Sequence, residues 1–373
     1  MKNVILSVIN DLSTDQRVHK VASTLSKLGY KVTLVGRVYR GSLPLDKRAY
    51  NTKRMFLLFR KGPFFYLEFQ IRLFLYLLFH KSNVLVANDL DTLLPNYLIS
   101  RLKSSNLVYD SHELFCEVPE LQNNPTKKKI WKQLERWIFP KLKTIFTVNE
   151  SIAKIYGDEY NKNIIVVRNI PLLSNQINFQ KLNKVNLELP TEKKIILLQG
   201  AGINIDRGAE EAVEAMQYVN DAILVIIGAG DVIAILKQNV IKLGLNNKVQ
   251  FIGKVNFERL MQYTHHADLG LTLDKDTNIN YRYSLPNKLF DYIHAGVPVL
   301  ASNLVEIRKI IFQFNLGDCI NSHSPIEIAD KINKILNDTQ KLQEWKKNTA
   351  IAAAELNWEK EEQLLIKVYE KFL

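Results

Sequence analysis

Tyr283-Ser-Leu-Pro-Asn-Lys-Leu-Phe-Asp-Tyr-Ile-His-Ala-Gly-Val-Pro-Val-Leu-Ala-Ser302 is the stretch of sequence that says most about the fold. Ser284 is a natural N-cap, and Pro286 is tolerated in a first helical turn because its missing N–H needs no partner there. Gly296 suits a left-handed C-terminal position, and Val297–Ala301 is an apolar run with no polar face. The stretch therefore predicts a helix that leads into a buried parallel strand.

The polar side chains of this predicted helix share one side. At roughly 100° per residue, one arc holds Ser284, Asn287, Lys288 and Asp291, and the apolar positions lie opposite. Free N–H groups at a helix start suit a phosphate, and a carboxylate two turns along can accept hydrogen bonds from sugar hydroxyls. The arrangement suits a nucleotide sugar; the alternative is an ordinary amphipathic helix with a solvated face.

Strand-like runs alternate with helix-period segments along both halves of the chain. The strands predicted in the first half are Val4–Ile9, Lys31–Val35, Asn83–Ala87, Leu107–Tyr109, Thr144–Val148 and Ile164–Val167. Those predicted in the second half are Lys194–Gln199, Ala222–Ile227, Val249–Ile252, Leu269–Thr272 and Val297–Ala301. This alternation predicts two doubly wound α/β domains, each with a parallel sheet that is covered on both faces.

A chain of 373 residues is long enough for two domains. We expect an N-terminal domain over 1–172 and a C-terminal domain over 191–355. A polar stretch without periodicity predicts a linker over 173–190 between them. The last residues, 356–373, are expected to form a helix that packs back toward the N-terminal domain.

Composition limits the class of protein. The apolar fraction of 47% and charged fraction of 24% are typical of a soluble globular chain. The net charge of +12 favours an anionic partner, but no nucleic-acid-binding motif is present, while an anionic membrane surface stays open. Cys116 and Cys319 lie far apart without a metal-binding spacing, which indicates a reducing compartment. With no signal peptide, we expect a cytoplasmic protein.

The most apolar stretch is Phe64–Phe79, which three polar residues make too polar to span a membrane. One interpretation is a crossover helix buried against the first sheet. The other is a helix that lies in the plane of a bilayer, on the inner face of the cell membrane, aided by flanking cations. Those cations are Arg60, Lys61, Arg72 and Lys81.

A glycine-rich loop follows the first strand of the second half, Gln199-Gly-Ala-Gly-Ile-Asn-Ile-Asp-Arg-Gly208. Glycines let the backbone approach a ligand closely, and Arg207 can neutralise a diphosphate. Neither this spacing nor Gly228–Asp231 fits the dinucleotide fingerprint or a P-loop. A generic strand–turn–helix junction therefore stays open as the alternative.

Taken together, the chain resembles the retaining GT-B glycosyltransferases of glycosyltransferase family 4 over nearly its whole length. The resemblance is carried by the segments Tyr283–Ser302, Gly200–Gly208, Asp110–Glu113, Asp11–Lys20 with Gly29–Thr33, and Asn88–Pro95. It implies a GT-B fold, in which two Rossmann-like doubly wound domains face each other across a cleft.

The resemblance also implies a donor site in the second domain. Asp291 matches the second acid of the family's Glu-x7-Glu motif and would hold the ribose hydroxyls, whereas the first acid is replaced by Tyr283. Arg207 matches the family's cation on the diphosphate, and Lys288 lies close by in the motif. The implied donor-binding residues are Gly200, Gly202, Arg207, Lys254, Tyr283, Ser284, Leu285, Asn287 and Asp291.

In the first domain, His112 matches the family's histidine that reaches toward the transferred sugar, which makes His112, Arg207 and Lys288 the implied catalytic residues. The implied acceptor-side residues are Arg17, Asp89 and Glu113. The alternatives are a strand-end histidine, an N-cap partner at Glu113, and turn residues at Asp89 and Asp91 that cap the next helix.

The chemistry implied by the resemblance needs neither a metal ion nor a cofactor. The diphosphate leaves as an anion, which cations and N–H dipoles stabilise. We expect a nucleotide diphosphate sugar, UDP- rather than GDP-linked, as donor of a hexose or N-acetylhexosamine. A lipid-linked or glycan acceptor in cell-surface polysaccharide synthesis is expected. The alternatives are a nucleotide-sugar epimerase or hydrolase of the same fold, and a non-catalytic nucleotide-binding protein.

Overall fold

The computed structural model describes residues 1–13, 15–42, 44–122, 124–173 and 182–373. They form two compact units: unit 1 is Met1–Asn169 with Trp358–Leu373, and unit 2 is Ile170–Asn357. Part of the predicted linker over 173–190, residues 174–181, lies outside the described residues. The rest of it belongs to unit 2, where Leu187 and Leu189 are buried in the core, so this part is not a free linker.

Unit 1 is built on a parallel sheet of seven strands in the order β3-β2-β1-β4-β5-β6-β7. The strands are β1 (Asn3–Asp11), β2 (Lys31–Val38), β3 (Asn51–Phe56), β4 (Val84–Asn88), β5 (Asn106–Ser111), β6 (Thr144–Thr147) and β7 (Ile165–Val166). The helices of this unit are α1 (Gln16–Lys27), α2 (Gly62–Phe79), α3 (Leu90–Lys103), α4 (Pro119–Gln122), α5 (Pro125–Ile138), α6 (Glu150–Tyr160) and, from the end of the chain, α15 (Trp358–Tyr369).

Unit 2 repeats the arrangement with six parallel strands in the order β10-β9-β8-β11-β12-β13. The strands are β8 (Lys194–Gly200), β9 (Ala222–Gly228), β10 (Val249–Ile252), β11 (Leu269–Thr272), β12 (Val299–Ser302) and β13 (Gly317–Ile320). The helices are α7 (Ala209–Ala215), α8 (Ile233–Lys242), α9 (Phe257–Thr264), α10 (Ile279–Arg282), α11 (Asn287–His294), α12 (Val305–Phe314), α13 (Pro325–Asn337) and α14 (Thr339–Glu355).

Two edge strands are absent from the sequence prediction. The segment of β3 is mostly polar, and only Met55 of its six residues is buried, so it shows no apolar run. At the other sheet's edge, β13 contains a glycine and an aspartate within four residues. Neither segment therefore shows the apolar, β-branched run that identified the other strands.

The long helix α2 packs one face against the sheet of unit 1. Phe65, Phe69, Leu73 and Leu77 are buried there, which agrees with a crossover helix. No helix within the described residues is long and apolar enough to cross a membrane.

The order of strands determines where a ligand can bind in each unit. It reverses between β1 and β4 in unit 1, and between β8 and β11 in unit 2. In open parallel sheets, ligands bind outside the carboxyl ends of the strands at such a reversal. The loops that follow these four strands are therefore the positions at which to look for functional side chains.

Candidate functional site

The glycine-rich loop after β8 is held by close backbone contacts. Gly208 has φ +72°, and a Cβ there would lie 2.2 Å from the carbonyl oxygen of Leu273. A Cβ at Gly230 would lie 2.0 Å from the carbonyl oxygen of Ile203. At Gly200 and Gly202, by contrast, a Cβ would make only ordinary contacts, at 3.6 and 3.5 Å. Of the three loop glycines that the sequence singled out, the packing therefore requires Gly208, whereas Gly200 and Gly202 have room for a side chain.

Two cations and one buried carboxylate meet at the carboxyl end of β11. The Arg207 guanidinium lies 2.8 Å from Asp274 Oδ1, and Lys288 Nζ lies 3.7 Å from Asp274 Oδ2. Asp274 is 0% exposed, whereas 29% of the Arg207 side chain and 13% of the Lys288 side chain are exposed. In this cluster of Arg207, Lys288 and Asp274, called the cation cluster below, Arg207 is thus partly accessible and Lys288 mostly buried.

The Asp274 carboxylate and the two cations of the cluster influence one another's protonation. Burial alone would raise the pKa of the Asp274 carboxyl, but Lys288 and Arg207 hold it below its ordinary value. Burial and the charge of Arg207 lower the pKa of Lys288, an effect that Asp274 opposes. With Asp274 ionised and both cations protonated, the cluster carries one net positive charge, which suits an anionic ligand.

Sequence reasoning missed Asp274, although it predicted both of its cationic partners. Asp274 comes two residues after β11, the strand at which the sheet order reverses. An acidic residue just after a buried strand was the available signal. This signal points to a functional site only once β11 is known to lie beside β8.

The helix of the opening stretch begins later than predicted. Helix α11 begins at Asn287, and Pro286 occupies the cap position with φ −72° and ψ 139°. Ser284 instead follows the short helix α10, and its N–H donates to the carbonyl of Tyr281 at 3.0 Å. The prediction that Ser284 is the N-cap is therefore wrong, and its N–H is already used. Tyr283 and Leu285 are half-buried beside it, whereas Asn287 is exposed.

Asp291 lies on α11 beside the carboxyl end of β8. It is buried, and its Oδ2 accepts a hydrogen bond from Gln199 Nε2 at 3.0 Å. Gln199 Oε1 accepts in turn from the Thr264 hydroxyl at 2.8 Å. These two hydrogen bonds hold the Asp291 carboxylate close to the point where the strand order of the sheet reverses. Lys254 is exposed after β10, at the edge of the same sheet.

In unit 1, His112 lies between two carboxylates at the carboxyl ends of β4 and β5. Its Nδ1 lies 3.3 Å from Asp89 Oδ2, and its Nε2 lies 3.6 Å from Asp110 Oδ2. Burial alone would lower the pKa of His112, but Asp89 and Asp110 raise it to about 9. The ring is therefore protonated at neutral pH, and 16% of the side chain is exposed.

Asp89 holds a backbone conformation that few residues other than glycine adopt, with φ 61° and ψ 169°. Its side chain does not cap α3; instead its Oδ1 accepts the His112 N–H at 2.8 Å. Such a conformation costs about 1–3 kcal/mol and is concentrated at functional sites. In the first turn of α3, Asp91 is buried, and burial together with Asp89 raises its pKa well above the ordinary value.

Arg17 has a different role from the acceptor contact that was predicted. It is 2% exposed and makes a bidentate pair with Asp110, at 3.0 and 2.6 Å. A third hydrogen bond runs to the carbonyl of Val167 at 2.6 Å. A guanidinium buried in this way positions Asp110, and through it His112, rather than reaching an acceptor. Glu113 is half-buried beside His112, and its carbonyl accepts from the Ser111 hydroxyl at 2.8 Å.

Among the described residues, no group of three or more His, Cys, Asp and Glu side chains is placed to hold a metal ion. The charged side chains found at the two reversal points are instead the cation cluster in unit 2 and, in unit 1, His112 with Asp89 and Asp110.

Two family models match the chain, and they cover most of it. Residues 15–170 match the family model Glycosyltransferase Family 4, and residues 179–352 match Glycosyl transferases group 1. An uncharacterized glycosyltransferase of Methanocaldococcus jannaschii is 24% identical over 199 residues, 52% of this chain and 49% of that protein. The chain thus spans about half the length of the curated relative that it matches.

Solved structures share the fold over the whole chain. A sucrose-phosphate synthase from Thermosynechococcus elongatus has a TM-score of 0.81 at 16% identity, covering 100% of this chain and 99% of that chain. Anabaena Alr3699/HepE in complex with UDP-glucose has a TM-score of 0.75 at 15% identity, covering 100% of both chains. The fold is therefore GT-B, with two Rossmann-like units. The two matching domains are those of glycosyltransferases, and the resemblance to family 4 is confirmed.

Proposed function

We propose that the protein is a retaining glycosyltransferase that uses a nucleotide diphosphate sugar, with UDP rather than GDP as the nucleotide. The observation that carries this proposal is the cation cluster at the point where the sheet order of unit 2 reverses. A diphosphate is a dianionic group, and a cluster with one net positive charge in a partly exposed position complements it. Binding of UDP-glucose by the Anabaena protein of the same fold supports UDP as the nucleotide.

Each side chain of the cation cluster has a part in this proposal. Arg207 contacts the diphosphate, and its planar guanidinium lies 4.1 Å from the ring of Tyr281, which limits its orientations. Lys288 adds charge where the leaving group becomes more negative. Asp274 positions both cations, while Asp291 on α11 accepts hydrogen bonds from the ribose hydroxyls. Gly200, Gly202, Lys254, Tyr283, Leu285 and Asn287 complete the proposed donor surface.

His112 is the proposed contact of unit 1 with the transferred sugar. Its protonated ring can donate hydrogen bonds to sugar hydroxyls, and the two carboxylates beside it keep it charged. Glu113 is the proposed second polar contact on the acceptor side. The acceptor itself is proposed to be lipid-linked or a glycan.

The reaction exchanges one bond at the anomeric carbon for another. The bond from this carbon to the diphosphate oxygen breaks, and a bond to the acceptor hydroxyl oxygen forms on the same face. The departing phosphate accepts the proton of that hydroxyl, so a pair of glycosidase-type carboxylates is not needed. We propose that no metal ion takes part, and transfer should then continue in the presence of EDTA.

The test is to incubate the protein with UDP- and GDP-sugars, with and without lipid-linked or glycan acceptors. A glycosylated acceptor is expected only with the correct donor. A new sugar or free nucleotide without acceptor would instead indicate an epimerase or hydrolase. Binding without turnover in every combination would indicate a nucleotide-binding protein.

A single variant tests the proposed contact of Arg207 with the diphosphate. Arg207→Ala should lower kcat about a hundredfold, because the leaving group gains its charge in the transition state. Arg282→Ala is the matched control, since this arginine is half exposed and pairs with the exposed Asp276. Equal kcat in the parent and Arg207→Ala would contradict the proposed site.

A further inference from the structure

Helix α2 is apolar on both faces, and unit 1 covers only one of them. Its buried face packs against the sheet through Phe65, Phe69, Leu73 and Leu77. At about 100° per residue, its exposed apolar positions fall within about 120° on the opposite face. This exposed face consists of Phe64, Leu67, Ile71, Leu75 and Phe79, which are 46–79% exposed. A continuous exposed stripe of this kind marks an interaction surface rather than the scattered apolar residues found on every protein.

The loop before α2 extends the stripe. Leu58 is 72% exposed and Phe59 is 50% exposed. The Glu68 carboxylate accepts hydrogen bonds from the N–H groups of both residues, at 2.9–3.1 Å. Glu68 therefore fixes the loop against the helix, so that the two apolar side chains are held out beside the stripe. The only acidic side chain of this region is thus already occupied by the backbone and by Arg72.

Charge identifies the kind of partner. The segment 51–81 contains six Lys and Arg residues and one acidic residue. Arg60 and Lys61 are exposed at the start of α2, and Lys81 is exposed just after its end. A second copy of this chain would bring like charges together, which disfavours self-association. An apolar stripe about 23 Å long with cations at both ends instead matches an anionic lipid surface.

We propose that the exposed face of α2, together with Leu58 and Phe59, docks the protein on an anionic bilayer with the helix lying in the plane of the interface. The inference rests on the proposed function in one respect: a lipid-linked acceptor gives such docking a purpose. The apolar side chains enter the boundary between head groups and acyl chains, and the basic residues contact the lipid phosphates.

Co-sedimentation with vesicles tests the proposal without donor or acceptor. The full chain should bind vesicles of phosphatidylcholine with phosphatidylglycerol at low salt, and should bind pure phosphatidylcholine much more weakly. The double variant Leu67→Gln/Ile71→Gln should reduce binding at least tenfold, because two apolar side chains no longer enter the interface. Arg60→Gln/Lys61→Gln should reduce it about fivefold for each charge removed, and mainly at low salt.

The matched control is Ile235→Gln/Ile241→Gln, since both residues lie on α8 of unit 2 and are 53% and 69% exposed. This control should bind vesicles as the parent does, and thermal unfolding should show that every variant is folded. Failure of the parent to bind anionic vesicles at low salt would overturn the proposal. So would equal binding by Leu67→Gln/Ile71→Gln, or a stripe-dependent dimer in sedimentation without vesicle binding.

Failure of docking and failure of the proposed function are distinguishable. Transfer to a water-soluble acceptor should be the same in the parent and in Leu67→Gln/Ile71→Gln, because neither residue belongs to the proposed donor or acceptor site. Vesicle binding without transfer would count against the enzymatic proposal alone. Transfer to a soluble acceptor without vesicle binding would count against the docking surface alone.

Discussion

Asp274 connects the two cations that the sequence had predicted separately. Its carboxylate is fully buried, and Lys288 and Arg207 beside it hold its pKa below the ordinary value. Removing one partner from such a group leaves the other charges uncompensated. We therefore predict that Asp274→Asn lowers the free energy of unfolding by about 2–3 kcal/mol. Chemical denaturation of the parent and the variant measures this difference.

The control for Asp274→Asn is Asp276→Asn, two residues further along. Asp276 also pairs with an arginine, but both side chains are about half exposed. Exposed pairs contribute about 0–1 kcal/mol, so this variant should unfold almost as the parent does. A similar loss in the two variants would mean that burial of the carboxylate is not what matters.

His112 should make the stability of the protein depend on pH. Its folded-state pKa of about 9 lies above the ordinary value of 6.5. The folded protein therefore binds the proton more tightly than the unfolded chain does, and this contribution is fully present below about pH 6.5. It is lost as the pH rises through 9. We predict that the free energy of unfolding of the parent, relative to His112→Gln, decreases across this interval.

Measurements of unfolding at several pH values between 6 and 10 test this prediction. Because both proteins share all other titrating groups, the difference between them isolates the histidine and its two carboxylates. A difference that stays constant over the interval would show that the folded-state pKa is not raised. An increase with pH would show the opposite sign.

At the scale of single residues, the sequence indicates which side chains follow a buried strand or open a helix, but not the partners that decide their roles. Arg207 and Lys288 were found because the loop and helix that carry them are visible in the sequence. Arg17 was assigned to the acceptor side because nothing in its segment reveals Asp110, 93 positions away, with which it pairs. The identity of such a partner depends on which strands become neighbours.

At the scale of elements, the glycine-rich loop shows how tightly backbone segments pack around the cation cluster. Gly208 precedes α7, and its missing Cβ leaves room for the Leu273 carbonyl, next to Asp274. We predict that Gly208→Ala lowers the free energy of unfolding by about 2–4 kcal/mol, from backbone strain and a clash. Denaturation of this variant should be compared with that of Gly244→Ala.

Gly244 provides a close control. Its φ of +66° resembles the +72° of Gly208, but no atom lies within 4 Å of a Cβ built there. Gly244→Ala should therefore lose only about 1 kcal/mol, from backbone strain. The difference between the two variants measures the clash with Leu273. Equal losses would remove the reason for placing the loop against the end of β11.

The elements themselves were largely predictable. Eleven strand segments were recognised from apolar, β-branched runs, and the two edge strands β3 and β13 were missed because they lack such runs. The start of α11 was misplaced because Ser284 is a typical N-cap residue by type. Its N–H is instead bonded to the carbonyl of Tyr281 in the short helix α10 before it. Helix propensity predicted where the helix lies, but the preceding turn determines the residue at which it begins.

On the scale of the whole molecule, the alternation of strands and helices predicted two doubly wound units, and the two sheets have that topology. The last residues, 356–373, were expected to form a helix that packs toward the N-terminal domain, a placement that periodicity alone does not give. Helix α15 follows unit 2 in sequence but is part of unit 1. Its attachment depends on contacts between side chains that are far apart in the sequence. Trp358 and Thr24, for example, form a hydrogen bond although they are 334 positions apart.

The attachment of α15 gives a prediction about how the two units unfold. Trp358 is 1% exposed, its Nε1 donates to the Thr24 hydroxyl at 3.1 Å, and Lys20 Nζ lies 5.0 Å from its ring centre. Trp358→Ala should cost about 3–5 kcal/mol through the cavity and the lost contacts. Hydrogen exchange should show this loss in Met1–Asn169, while amides of Ile170–Asn357 keep the protection of the parent.

Leu364→Ala, at a 43% exposed position on the same helix, is the control and should leave exchange in both units unchanged. Equal loss of protection in the two units would show that they unfold as one and that α15 does not belong to unit 1 alone.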